Sequence, residues 1–197
     1  MEDFEREATL IDRARRGDLR AYAALVKQFE ERMFYTAYRI LHSREDAEDC
    51  VQETFLRAWD RIKDLKDVSA FRTWLYRILS NLALDALRGK ERQAMAIDTY
   101  RIESIRLASG SETRNPREVL RQAREAQRIE RAIADLAPKQ KIVFVLRHFQ
   151  GLKISEISEI LDAPSGTIKA TLHAALAKLR RNLIHRTAAG SKRSVEW

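Results

Sequence analysis

At 197 residues the chain has room for one domain or two small ones, and its 45% apolar content is enough for a buried core. A net charge of +8 points to a polyanionic partner, nucleic acid or an anionic membrane surface, the simpler reading being a basic but inert surface. The single cysteine, Cys50, excludes an internal disulfide framework and a multi-cysteine zinc site.

Apolar residues recur at helical spacing almost throughout, and with only 6 Gly and 3 Pro few turns are expected. The N-terminal MEDFEREATL is charged and lacks the apolar stretch of a signal peptide, and the longest strongly apolar run, IVFVL, is far too short to span a bilayer. These features predict a soluble cytoplasmic protein with no membrane insertion. TLIDRARRG reads as a short helix closed by Gly17, after which Asp18 caps a long helix. The buried stripe of that helix runs Tyr22, Leu25, Val26, Phe29, Met33, Ala37, Ile40 and Leu41.

Ser43 opens the next helix with Asp46 three residues on, an arrangement like a capping box. Its apolar side is Ala47, Val51, Phe55, Ala58, Trp59 and Ile62, and Cys50 falls there as a structural thiol. Residues 43–60 carry six acids against two arginines. An acidic helix surface in a basic protein repels phosphate, so it faces either a protein partner or water.

KDLKDVS (63–69) breaks the pattern and reads as a loop. The helix after it, RTWLYRILSNLALDALRGKER, ends near Gly89 and keeps Trp74, Leu75, Ile78, Leu79, Leu82 and Ala86 on one side. Its other side offers Tyr76, Arg77, Asn81, Arg88, Lys90 and Arg92. Aromatic faces stack on unpaired bases, guanidinium groups follow phosphates and an amide reads a base edge, so this surface suits single-stranded nucleic acid. The simpler reading places Trp74 in the core.

Residues 90–118 are polar and interrupted by Gly110, Asn115 and Pro116, a linker with room for a short helical piece at Ile102–Leu107. Helical spacing resumes at Leu120, Ala123, Ala126, Ile129, Ile133 and Leu136. Pro138 opens a helix with Ile142, Val143, Leu146 and Phe149 on its buried face, and Gly151 ends it.

LKISEISEILDAPSGTIKATLHAALAKLRRNL then has helix-turn-helix form. Ile154, Ile157, Ile160 and Leu161 face inward on the first helix. DAPSG makes the turn, with Pro164 suited to a first helical position. The second helix buries Ile168, Leu172, Leu176 and Leu179 and shows Ser165, Thr167, Lys169, Thr171, His173, Lys178, Arg180 and Arg181. From Ala163 to Val195 there are seven Lys or Arg and no acid, which is the footprint of a phosphate-binding face.

Taken in order, SREDAEDCVQETFLRAWDRI, SAFRTWLYRILSNLALDALR and GLKISEISEILDAPSGTIKATLHAALAKLR resemble a bacterial RNA polymerase sigma factor of the extracytoplasmic-function type, over about Leu10 to Leu183. The resemblance implies an all-α protein of two small helical domains joined by a flexible linker. A region-two bundle (1–90) is followed by a linker (91–118), a region-four helix-turn-helix domain (119–185) and a basic tail (186–197). It implies a transcription initiation factor that binds core RNA polymerase and promoter DNA and is masked by an anti-sigma factor.

Carried over residue by residue, the resemblance places Asp46, Glu48, Asp49, Gln52 and Glu53 at the polymerase. It assigns the melted minus-ten strand to Asp64, Leu65, Lys66, Asp67, Val68, Trp74, Tyr76, Arg77, Ile78, Asn81 and Arg88. The minus-thirty-five duplex falls to Ser165, Thr167, Lys169, Ala170, His173, Lys178, Arg180 and Arg181. Leu65 stands where the family often has an aromatic residue, and Ala170, Thr171 and Ala174 stand where it often has arginine or serine. Fewer hydrogen-bonding groups there shift readout toward DNA shape.

A stand-alone helix-turn-helix regulator with a helical dimerisation or ligand domain explains the basic C-terminus but not the acidic helix followed by the aromatic-basic one. A helical enzyme fits less well: His42, His148, His173 and His185 are scattered, no Gly-rich phosphate loop occurs, and no cofactor or metal is expected.

Overall fold

A computed structural model describes residues 2–96, 125 and 127–191. The sequence-predicted linker, its helical piece at Ile102–Leu107 and the end of the tail therefore lie outside the described residues, apart from positions 91–96 and 186–191. Among the described residues the regular structure is helical throughout, as expected of an all-α chain.

In the first domain α1 (Glu2–Arg15), α2 (Leu19–Leu41), α3 (Arg44–Arg61) and α4 (Phe71–Ala96) pack as a bundle. The boundaries follow local chemistry. Gly17 takes φ 91°, a left-handed value that ends α1 without a side-chain clash. Asp18 then accepts hydrogen bonds from the Arg20 and Ala21 amides and starts α2. His42 closes α2 in the left-handed region at φ 53°. Ser43 Oγ accepts from the Asp46 amide at 3.3 Å and starts α3. The Asp46 carboxylate meets Lys90 of α4, so it ties the two helices together.

Between α3 and α4 the chain makes two short 3-10 turns, Ile62–Asp64 and Val68–Ala70. α4 does not stop near Gly89 but continues to Ala96. One glycine inside a helix costs only about 1 kcal/mol, and LRGKERQAMA is otherwise rich in strong helix formers.

In the second part residues 127–134 are helical (α5), followed by α6 (Pro138–His148), α7 (Ile154–Leu161) and α8 (Ser165–Ser191). Ala132, Ile133 and Leu136 pack on Ala175 and Leu179 of α8. Gly151 (φ 68°) and Asp162 (φ 47°) supply the reversals after α6 and α7. Pro164 precedes α8 and its carbonyl accepts the Ile168 amide, so it caps the helix instead of occupying its first position. Phe149 was expected in the core with Leu146. It lies past the end of α6 and is 39% exposed, because the chain leaves the helix axis there.

The two domains do not stand apart. α2 packs on α6, and α4 packs on α6 and α7. Ile142, Val143, Leu146, Ile157 and Ile160 belong to the same apolar cluster as Met33, Leu75 and Leu79.

Candidate nucleic-acid and partner surfaces

The carboxylates of α3 form a row. Glu45, Glu48, Asp49 and Gln52 are exposed, and Asp46 and Glu53 are half-buried. Glu48 accepts from Arg44 Nε at 2.7 Å and Glu53 from Arg57 Nε at 2.6 Å, each one helical turn away. Burial pushes the Asp46 carboxyl up, but hydrogen bonding with Lys90 and Ser43 and the Lys90 charge outweigh it and hold it below its ordinary value. Leu56 is 55% exposed and follows Asp49 by two turns and Gln52 and Glu53 by one. Sequence reading left it out. Its signal was an apolar residue out of step with the buried stripe, on the face that carries the acids.

In the loop, Asp64, Lys66 and Asp67 are exposed and Val68 is half-buried. Asp67 accepts from the Ser69 amide at 2.9 Å and from the Ser69 hydroxyl, bonds that lower its pKa and fix the second 3-10 turn. Leu65 points inward and is 6% exposed, because an apolar side chain at this bend completes the core with Ile62 and Phe71. It offers no surface to a base in this conformation.

α4 begins directly after the loop. Arg77, Asn81 and Arg88 are exposed at helical spacing, while Ile78 and Trp74 are half-buried. Asn81 sits about 15 Å along the axis from the start of the helix. The Trp74 ring packs 5.9 Å from Phe71, so the indole is largely part of the core. Tyr76 was expected on the outward face with Arg77 and is fully buried. Its hydroxyl donates to Gln150 Oε1 at 2.8 Å. Burial raises its pKa, against the opposing charges of Arg72 and Arg32.

On α8, Ser165, Thr167, Lys169, Ala170, His173, Arg180 and Arg181 are all exposed, and Lys178 is half-buried. Ile168, Ala175 and Leu179 hold the opposite side in place. The outward row begins in the first turn of α8, where short side chains let a helix approach a groove.

Residues 25–93 match the family model of sigma-70 region 2, and residues 126–179 match that of sigma-70 region 4. The ECF RNA polymerase sigma factor SigW of Bacillus subtilis is 31% identical over 88% of this chain and 94% of its own length. The chain belongs to the ECF sigma factors of RNA polymerase. The ECF sigma-E factor of Escherichia coli is likewise 31% identical, over 84% of this chain and 88% of its own.

Two solved structures share the fold. CnrH, in complex with the cytosolic domain of CnrY, superposes with a TM-score of 0.65 at 23% identity, covering 91% of this chain and 98% of that one. RpoE of Bartonella quintana, in complex with the anti-sigma factor NepR, gives 0.66 at 21%, covering 84% and 98%. This ECF sigma factor therefore serves transcription initiation by RNA polymerase. The region 2 match accounts for the half that a stand-alone regulator left unexplained. Among the described residues no helix is long and apolar enough to cross a membrane, and no three His, Cys, Asp or Glu side chains group as metal ligands.

Proposed function

We propose a division of labour by surface in this sigma factor. The α3 row of Asp46, Glu48, Asp49, Gln52 and Glu53, with Leu56 as an apolar anchor, docks on core polymerase. The loop at 64–68 and the exposed Arg77, Asn81 and Arg88 of α4 receive the melted minus-ten strand. The outward row of α8 reads the minus-thirty-five duplex. The domain limits are 1–90, 91–118, 119–185 and 186–197, although α4 carries the first domain's last helix on to Ala96.

One observation supports this assignment above the others: charge is segregated by surface. Carboxylates crowd α3, and none occurs from Ala163 to Val195. Phosphate is repelled by the first surface and attracted by the second, so the first suits a protein and the second DNA. The chain then needs no catalytic group, since the polymerase makes the phosphodiester bonds, and its place of work is the cytoplasm. In one solved neighbour the sigma factor RpoE is in complex with the anti-sigma factor NepR, and in the other CnrH is in complex with the cytosolic domain of CnrY. An anti-sigma factor is accordingly the proposed regulator here.

Run-off transcription with purified bacterial core polymerase on a library of promoter fragments tests the reading. Selective transcripts that require this chain are expected. No stimulation of a core preparation that another sigma factor does activate would refute it.

A further inference from the structure

The Tyr76 hydroxyl is engaged by the chain's own second domain. Gln150, in the turn after α6, takes two hydrogen bonds from α4, one on each of its carbonyl oxygens. The Tyr76 hydroxyl donates to Oε1 at 2.8 Å, and Arg72 Nη2 donates to the main-chain oxygen at 3.0 Å. The adjacent Phe149 ring lies 4.2 Å under the Arg39 guanidinium of α2, and Arg39 Nε stands 3.9 Å from Glu130 Oε1.

The contact is selective in what it covers. In the Arg72–Tyr76 stretch of α4, Leu75 and Tyr76 are buried and Arg72, Thr73 and Trp74 half-buried, whereas Glu48, Asp49 and Gln52 of α3 and Lys169, Arg180 and Arg181 of α8 are exposed.

The contact is also imperfect in a way that favours separation. Arg39 Nε, His42 Nε2, Arg72 Nε and Glu130 Oε2 are buried without a hydrogen bond among the described residues. All four belong to side chains along this contact, His42 facing Lys141 of α6. Buried polar atoms left unpaired each cost the closed form, and parting the domains returns them to water. Glu130 shows the same strain: burial raises its pKa despite the neighbouring Arg39.

We propose that the Gln150 turn is a latch that closes the protein on itself. The second domain occupies the Arg72–Tyr76 face of α4, and single-stranded DNA gains that face only when the domains part. The polymerase row on α3 and the duplex row on α8 stay available in the closed form. The proposal rests on the reading of α4 as the single-strand surface: Arg77, Asn81 and Arg88 stay exposed in the closed form, and the latch withholds the Arg72–Tyr76 face beside them.

The test uses the full chain as parent, Gln150→Ala, and Arg39→Ala/Gln150→Ala, with helical content checked by circular dichroism. Small-angle scattering reads opening, and anisotropy reads binding of a labelled single-stranded DNA of mixed sequence. The parent should be compact. The variants should expand and bind the single strand about fivefold to tenfold more tightly for each hydrogen bond or ion pair removed, with duplex affinity unchanged. An extended parent, or a double variant as compact as the parent, overturns the latch. Adding Arg77→Ala to the double variant separates the two readings. If opening leaves affinity unchanged while Arg77→Ala lowers it, the latch is wrong and the α4 surface stands. If opening and Arg77→Ala both leave affinity unchanged, the α4 reading has failed and the latch with it.

Discussion

His42 combines a backbone role and a charge problem. It closes α2 at φ 53°, a conformation that asparagine also tolerates. Burial, and then the Lys141 charge, press its pKa from 6.5 to about 4. A base whose pKa falls on folding is held neutral, so its contribution is complete above pH 6.5 and is lost as pH falls toward 4. A gap of that size corresponds to at most about 3 kcal/mol. His42→Asn should keep the turn and flatten this acid limb. Urea midpoints at neutral pH and near pH 5 check it: the parent should lose stability between them and the variant much less. Asn81 makes the opposite kind of prediction, one of function without stability. An exposed amide contributes little to packing, so Asn81→Ala should melt like the parent while weakening single-strand binding by about 1–3 kcal/mol. Transcription from a fully paired promoter and from one with a preformed bubble separates opening from strand recognition. Parent-like yield on both templates would show that Asn81 does not contact the melted strand. Residue by residue, the sequence placed Arg77, Asn81, Lys169 and Arg180 on the outside correctly. It put Tyr76 and Phe149 on the wrong sides: Tyr76 lies beside the one apolar stripe that periodicity reports, and Phe149 continues the stripe of α6 but falls past the end of that helix.

Helices were legible where their ends carry local chemistry. Asp18 and Ser43 accept backbone amides, and Gly17 and Gly151 take left-handed conformations, each in its expected place. Gly89 misled because a single glycine is a weak stop among good helix formers. The function of two helices is predicted at this scale. On α3, Asp49→Lys with Glu53→Lys reverses the acidic row while leaving the Ala47, Phe55 and Ala58 side intact. Helical content should hold, although Lys at 53 would face Arg57 and cost a few tenths of a kcal/mol. Affinity for core polymerase should fall by tenfold or more, about 1.4 kcal/mol, read by co-purification or a competition assay. Unaltered co-purification would remove α3 from the polymerase interface. On α8, Arg180→Ala/Arg181→Ala should leave the fold alone, since both side chains are exposed. The slope of log affinity for duplex DNA against log salt should flatten by about one unit for each phosphate no longer neutralised. An unchanged slope would turn that part of the helix away from DNA.

At the scale of the whole molecule, sequence reading stops where the domains meet. α4 has two partners: it packs on α2 and α3 of the first domain, and its Arg72 and Tyr76 bond to Gln150 of the second. A helix with two buried faces looks in sequence like one with a buried face and an aromatic-basic outer one, and that ambiguity is what hid the domain interface. It bears on stability as well. The second domain's own cluster is small, Ala132, Ile133, Leu136, Ala175 and Leu179. Ile142, Val143, Val145, Leu146, Leu152, Ile157 and Ile160 instead join the cluster that continues into the first domain. Cut free, a fragment of residues 119–197 would expose part of that apolar surface, and domains of this size have little stability to spare. The fragment should therefore melt below the full chain, by about 4–8 °C for each kcal/mol that the interface contributes. Circular dichroism melts of the fragment and the full chain at matched concentration decide it. A single transition in the full chain, with the fragment melting lower, shows that the interface couples the two domains. A fragment that melts at the same temperature as the full chain would mean that the interface adds no stability and that the second domain holds itself together through its own helices α5 to α8.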